Sequence, residues 1–333
     1  MRSDNPVFPA HQPPGATSVA MAVPAASAGV SEDAKPARTA KTKAKAKTVS
    51  GKPRTRKHKH NRAAYAFLAP WFIGIFGFTL IPMGYSLYLS LTKFDLLTSP
   101  KWIGFANYTA MFHDPRFLQS VKVTLEYVFF SVPLKLILAL LIAVALNRGL
   151  RGLGFYRSVF YLPSLLGASV AVAVMWRQIF SSQGLLNQFL SWFGIHGADW
   201  IGDPRYALWT LILLAGWQFG TPMLIFLAGL KQLPRDLYEV AELDGAGKVR
   251  IFFNLVLETI NAFQTFTPAY VVSGGTGGPI NSTLLYTLYL YQKGFTSLQM
   301  GYASAMAWVL FLVIGAFTAV YFATARRWVT YGD

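Results

Sequence analysis

The chain has no cysteine among its 333 residues. That excludes a disulfide framework, a thiolate metal site and a cysteine nucleophile, and it leaves the redox compartment unreadable. Charge is scarce as well: Asp, Glu, Lys and Arg make up 13% of the chain, against ~25% in a typical soluble protein. Hydrophobic residues reach 53% and aromatic residues 15%, so water is not the main solvent. There are five histidines. His58 and His60 sit among cations without a carboxylate partner, a poor setting for a metal ion. Motifs of internal catalysis are missing too, with no HExxH, no GxSxG and no flanking Ser/His/Asp arrangement. The nearest approach to a phosphate loop is Asp244-Gly245-Ala246-Gly247-Lys248-Val249. It has Glu242 where a Walker A motif needs its first glycine, and Val249 where Ser or Thr would hold Mg²⁺. No enzyme, metal site or bound cofactor is expected of this chain.

The charge that is present is concentrated at one end. Thirty Lys and Arg against fourteen Asp and Glu give a net +16, and residues 1–62 alone hold thirteen basic and three acidic side chains. This segment is rich in Ala, Pro, Lys, Thr and Ser and has no periodic apolar face. It cannot bury enough surface to offset the entropy of ordering it, which predicts a disordered basic tail. Its run from Lys41 to Arg62 directly precedes an apolar stretch, as does a cytoplasmic retention segment lying on anionic lipid. Nucleic-acid binding is the other use of such a run, by phosphate neutralisation. The placement favours membrane lipid, and no nucleic acid is expected as a partner. Residues 15–30 end in small residues as a signal peptide does, but they lack a basic start beyond Arg2 and an uninterrupted apolar core, so no cleavage is expected.

From residue 63 to 330 the sequence predicts a single all-α membrane domain. Apolar stretches long enough to cross ~30 Å of hydrocarbon run at about 64–91, 121–146, 156–180, 206–230, 251–272 and 301–325. They are too long and too little alternating for barrel strands. With the N-terminus inside, 22 basic residues fall on the cytoplasmic side and six on the other. This bias predicts both termini in the cytoplasm. Trp71, Trp176, Trp209, Trp217, Trp308 and Trp328 cluster near span ends, as interfacial anchors do. Ionisable residues inside spans are costly, and here they are Lys122, Glu126, Lys135 and Glu258.

The connection 231–250 is the most informative. Pro234 stands where a helix can begin, Asp236 and Glu239 complement the positive end of its dipole, and Gly245 and Gly247 break it after about three turns. Read physically, it is a short amphipathic helix at the cytoplasmic face. Its wording, L-P-R-D-L-Y-E-V-A-E-L-D-G-A from Leu233 to Ala246, resembles the "EAA" coupling loop of binding-protein-dependent ABC importer permeases, L-P-x-x-L-Y-E-A-A-x-x-D-G-A. Only Val240 departs from the E-A-A core. Phe155 to Pro163, Gly184 to Asn187, Ser273 to Pro279 with Tyr286, and Gly301 to Ala305 are similar to the carbohydrate-uptake group of that family, of the maltose, multiple-sugar and glycerol-3-phosphate type. About residues 64–330 are covered.

The resemblance implies a six-helix permease in a bacterial cytoplasmic membrane. It would pair with a second homologous permease, two ATPase subunits holding ATP and Mg, and an extracytoplasmic solute-binding protein that delivers a sugar or polyol phosphate. In such a permease Pro234, Leu237, Tyr238, Glu239, Ala241, Asp244, Gly245 and Ala246 would form the coupling element. Acidic groups there would pair with the ATPase, and small residues would allow close approach. For the substrate path the expected residues are Asn254, Glu258, Asn261 and Thr265, spaced three to four apart on one helical stripe of the fifth span, with Gln264 beside them. Such groups replace the water that sugar hydroxyls lose, although amides of this kind also glue helices together. Phe263 and Phe266 match a family Phe-x-x-Phe passage before the Gly-rich loop, with plain packing as the alternative.

The pattern breaks after Arg250. Family members continue through an aromatic residue and an I-x-L-P-x-L-x-P passage, whereas this chain passes straight into Ile251-Phe252-Phe253-Asn254 and has no proline between Pro234 and Pro268. The sequence therefore predicts a shortened coupling element. The competing classes are a gradient-driven secondary transporter or channel, in which the loop is only a surface helix, and a membrane-tethered nucleic-acid binder acting through the tail.

Overall fold

The computed structural model describes residues 61–148, 152–167, 169–231 and 246–328. Residues 1–60 of the expected basic tail lie outside these residues, and Asn61 and Arg62 begin the first helix. Among them the chain is helical apart from one antiparallel pairing of Thr92–Lys93 (β1) with Lys101–Trp102 (β2), which agrees with the all-α expectation.

The first predicted span is built from α1 (Asn61–Ile73), a π-helical stretch at Gly74–Leu80 and α2 (Ile81–Ser90). After α3 (Ala106–Phe112) comes α4 (Pro115–Asn147). Asp114 caps α4 by accepting from the backbone N–H groups of Arg116 and Phe117, with Pro115 at the first helical position. Its 33 residues reach about 50 Å at 1.5 Å each, more than the bilayer core requires.

The third span is not one helix. It divides into α5 (Leu153–Leu166) and α6 (Val170–Ile179), turned by 94°, and Ser169 caps the second piece by accepting from Val172 N–H. A short α7 (Leu185–Ser191) follows. The fourth span comprises α8 (Pro204–Trp217) and α9 (Gly220–Lys231). At the joint between them, Ser164 Oγ donates to the Gln218 carbonyl (2.9 Å) and accepts from Thr221 N–H (3.1 Å). Gln218 Nε2 in turn donates to the Gly167 carbonyl (3.0 Å). Backbone groups freed by a break inside a membrane segment must find partners in the protein, and these side chains supply them.

The fifth span departs furthest from expectation. Its helix α10 (Ala246–Phe263) stops, and α11 (Thr267–Val272) begins after three non-helical residues. Pro268 explains the stop: its ring would clash with the carbonyl of Gln264 and it offers no N–H to continue the ladder. Thr287 Oγ1 donates to the freed carbonyl of Thr265. Beyond it lie α12 (Tyr286–Tyr291) and α13 (Met300–Trp328), the sixth span. By length and apolarity Phe67–Ser90, Pro115–Asn147, Pro204–Lys231 and Met300–Thr324 can each cross a membrane, and the bent α5–α6 pair makes a possible fifth. The described residues therefore supply four such spans, or five with the bent pair, against the six expected.

The core centres on α4, which packs against α8, α9, α10 and α12, while α13 closes on α2 and α10. Leu136, Ala139, Ala143 and Leu146 of α4 are buried with Leu211 and Ile212 of α8 and Met223 and Leu227 of α9. Two of the sequence motifs have physical roles here. Gly301 is required because a Cβ would meet the Thr92 carbonyl at 2.1 Å. Tyr286 ties three elements together, its N–H donating to Thr124 Oγ1 (2.8 Å) and its hydroxyl to the Met306 carbonyl (2.8 Å). Trp176 is more than an anchor: its indole N–H donates to the Thr210 carbonyl (2.9 Å) and its ring packs near Trp217.

Candidate functional site: a polar cavity at the broken helix

Where α10 breaks, a cavity of about 380 Å³ opens between α4, α8 and the α10–α11 joint. Its polar wall is made by Tyr127, Ser131 and Lys135 of α4, Gln218 after α8, and Glu258, Asn261, Gln264 and Thr265 of the broken span. Phe266 and Pro268 complete it on the apolar side. An oxygen-rich solute needs such a mixture, hydrogen-bonding groups for its hydroxyls and an apolar face for the ring. The opening lies where Gln264 and Thr265 leave the helical path, and both residues line it.

Five of the seven predicted path residues therefore line one cavity: Glu258, Asn261, Gln264, Thr265 and Phe266. Asn261 and Gln264 are exposed residues of its lining. The other two do not line it. Asn254 is buried at 1% exposure, and its side-chain N–H₂ group has no hydrogen-bond partner among the described residues. Phe263 is buried on another face of α10 against Phe317, ring centroids 5.3 Å apart. Thr265 corrects the expected stripe, since it lies beyond the end of α10 and not on the same continuous helix.

Sequence reading placed Lys135 and Glu258 in separate spans without joining them. The structure pairs them, Lys135 Nζ donating to Glu258 Oε2 at 2.7 Å, with side chains 16% and 8% exposed. Lys135 stands about 30 Å along α4 from Pro115, deep within the span. Removing a charge from water costs several kcal/mol, so an isolated Lys or Glu at this depth is disfavoured and the two offset one another. The signal available in the sequence was their presence in two apolar spans with opposite sign. Lys122 and Glu126, by contrast, form an exposed pair at 3.9 Å one turn apart on α4.

A second polar cluster, also missed by sequence reading, ties the N-terminus of α4 to the α12–α13 region. Asp114 Oδ2 accepts from the hydroxyls of Tyr289 (2.5 Å) and Tyr302 (3.1 Å), and Lys293 Nζ lies 3.5 Å away. Arg116 stacks over the Tyr289 ring at 5.2 Å and donates to Gln292 Oε1 at 2.9 Å. Burial alone would push the Asp114 carboxyl up. The Tyr289 hydrogen bond, the Lys293 charge and the Tyr302 hydrogen bond together outweigh it and hold the pKa below the ordinary carboxylate value. The phenol of Tyr289 is pushed well above its usual range, first by burial and then by its bond to Asp114. Gln292 Nε2 also donates to the Gly275 carbonyl at 2.7 Å, fastening a loop in which Gly274, Gly275, Gly277 and Gly278 all take positive φ.

Of the predicted coupling residues, Pro234, Leu237, Tyr238, Glu239, Ala241, Asp244 and Gly245 lie outside the described residues, and Ala246 is the first residue of α10.

No family model matches the chain. It is 53% identical over 288 residues to the probable ABC transporter permease protein YesP of Bacillus subtilis (strain 168), covering 82% of this chain and 93% of that protein. It is 31% identical to the lactose transport system permease protein LacF of Rhizobium radiobacter, over 81% of this chain and 96% of that one. Among solved structures it is similar in fold to a chain from a bacterial ABC transporter involved in the import of the acidic polysaccharide alginate. There the TM-score is 0.64 at 20% identity, with coverage of 82% and 98%.

Proposed function

The chain belongs to the permeases of ABC sugar-uptake systems, and from that premise we propose that the cavity at the broken fifth span is its share of the saccharide path. The observation that carries this reading is the convergence of Glu258, Asn261, Gln264, Thr265 and Phe266 with Lys135 on one space inside the bundle. Amide, hydroxyl and charged groups there replace the hydration a saccharide loses on entry, and Phe266 offers a ring face. The chain is one of two permeases, opposed to a similar partner, and a solute-binding protein delivers cargo from outside. Energy comes from ATP and Mg in two separate ATPase subunits. The protein is a multi-pass component of the bacterial inner membrane with both termini inside, which puts the Asp114 cluster on the outer face.

In this reading residues 231–250 form the coupling element, with Pro234, Leu237, Tyr238, Glu239, Ala241, Asp244, Gly245 and Ala246 seated against an ATPase. The element is shortened after Arg250. The break in the family pattern after Arg250, with no proline between Pro234 and Pro268, supports this. A longer passage restored after Arg250 is expected to strengthen co-purification with the ATPase. No gain in assembly or uptake would remove the shortening as a functional defect.

The decisive experiment reconstitutes the chain with its second permease and ATPase in liposomes. Uptake from a mixture of short oligosaccharides is then followed by mass spectrometry. Uptake is expected only with ATP on the ATPase side, and Asn261→Leu with Gln264→Leu should lower it at least tenfold while assembly is retained. Uptake by the chain alone down a gradient, or full activity of the double variant, would overturn the reading.

A further inference from the structure

Resting on the reading of the cavity as a saccharide path, we propose that Lys135 is its recognition group for a carboxylate. Glu258 then holds the place of that carboxylate while the path is empty, so the cargo class is an acidic, uronate-bearing saccharide. Three observations converge on this. The first is the asymmetry of the pair: both groups line the cavity, but Lys135 is the more open at 16% against 8%. The second is unused capacity. An ammonium group has three donors; one goes to Glu258 Oε2, and no further bond to Lys135 occurs among the described residues. The third is the orphaned amide of Asn254.

Asn254 makes the exchange chemically feasible. If a cargo carboxylate took Lys135, Glu258 would be left as a buried anion without its cation, which is strongly unfavourable unless another donor receives it. Asn254 lies one helical turn before Glu258 on the same face of α10. Side chains on a helix lean toward its N-terminus, so Glu258 reaches back toward the turn that carries Asn254. That residue is 1% exposed and its N–H₂ has no partner, a costly state in a resting protein that a second position of Glu258 would relieve. Glu258 thus has two seats, Lys135 in the empty path and Asn254 in the loaded one. A carboxylate already fits the Lys135 seat at 2.7 Å, which is why the cargo group is taken to be a carboxylate too.

The test uses the whole importer, with second permease and ATPase, in nanodiscs, titrated with digalacturonate and with its neutral counterpart galactobiose. The wild type is expected to bind digalacturonate at least tenfold more tightly. Lys135→Met should abolish that preference and Lys135→Arg should keep most of it. Glu258→Gln, which removes the competing anion, should tighten digalacturonate binding several-fold. Asn254→Leu should narrow the preference. Because Lys135→Met alone strands a buried carboxylate, the pair variant Lys135→Met with Glu258→Gln is measured beside it and should bind the two sugars equally. Equal affinities in the wild type, a preference that survives in the pair variant, or weaker digalacturonate binding in Glu258→Gln would each overturn the proposal. Binding of neither sugar overturns it also. In that case the Asn261 and Gln264 variants decide separately whether the path itself is elsewhere: if they still depress uptake, the cavity reading stands without the exchange.

Discussion

Among the described residues two ion pairs join α4 to the rest of the bundle, one at its N-terminal tip and one two-thirds of the way along. At the tip, Asp114 meets two tyrosine hydroxyls, an ammonium group and two backbone N–H groups. Deeper in, Lys135 and Glu258 have one contact with each other, beside a cavity and one helical turn from an asparagine whose side-chain N–H₂ has no partner among the described residues. Polar networks whose every member is satisfied are rigid, whereas a sparsely bonded pair next to open space can be rearranged at small cost. The comparison separates a clamp from a contact able to change partners, though both join residues of opposite charge in distant parts of the sequence.

The largest effect expected from breaking this comparison is at the deep pair. Glu258→Leu leaves Lys135 uncompensated, which costs about 3–5 kcal/mol when a buried pair loses one member. Replacing both, Lys135→Leu with Glu258→Leu, should recover most of the lost stability, because an apolar pair of similar volume is often no worse. Thermal unfolding in detergent reads both variants, and a double variant as unstable as the single one would show that the pair holds the fold. At the tip the expected pattern is the reverse. Asp114→Ala loses an N-cap worth about 1 kcal/mol and strands the Tyr289 hydroxyl at about 1–3 kcal/mol. Adding Lys293→Leu should not rescue it, because the tyrosines and the helix cap would still lack their acceptor.

Acid sharpens the contrast. The folded-state pKa of Asp114 lies below its ordinary value of 3.8, so its stabilising contribution is complete above that value. The contribution is lost as pH falls through the lower folded value, since there the unfolded chain binds the proton more readily than the folded one. Unfolding temperature against pH should therefore drop more steeply below about pH 4 in the wild type than in Asp114→Asn, which has no proton to take up at that site. Identical slopes would mean that the cluster does not hold Asp114 ionised.

Much of the helical architecture could be read from the sequence, because hydrophobic runs of spanning length leave few alternatives. The cavity was accessible in part for the same reason: of the expected stripe on α10, Glu258 and Asn261 do line it. What could not be read was the position of the break. Pro268 was visible, but whether its span bends, tilts or stops depends on a partner for the freed carbonyl of Thr265, and that comes from Thr287, 22 residues further along the chain. The same limit hid both ion pairs. Lys135 and Glu258 are 123 residues apart, and Asp114 and Lys293 are 179 apart. Periodicity within one helix reports which side faces inward, but it does not say which inward side of another helix it meets. Where the family pattern named a residue without a physical reason, as at Gly301 and Tyr286, the reason proved to be a close backbone approach and a three-way hydrogen-bonded tie.

The smallest expected effect calibrates the other two pairs. Lys122 and Glu126 have opposite charges in an apolar span, the same features that made Lys135 and Glu258 conspicuous, yet they lie on one helix at 3.9 Å with side chains 69% and 44% exposed. An exposed pair one turn apart gains about 0.3–0.5 kcal/mol before ordering of the side chains is counted. Lys122→Ala with Glu126→Ala should therefore shift the stability of the isolated chain by about 0.5 kcal/mol or less. If it shifts that of the assembled importer by much more, the difference locates this face of α4 at a subunit contact. Sign and span membership alone do not rank the three pairs; what each charge has besides its partner does.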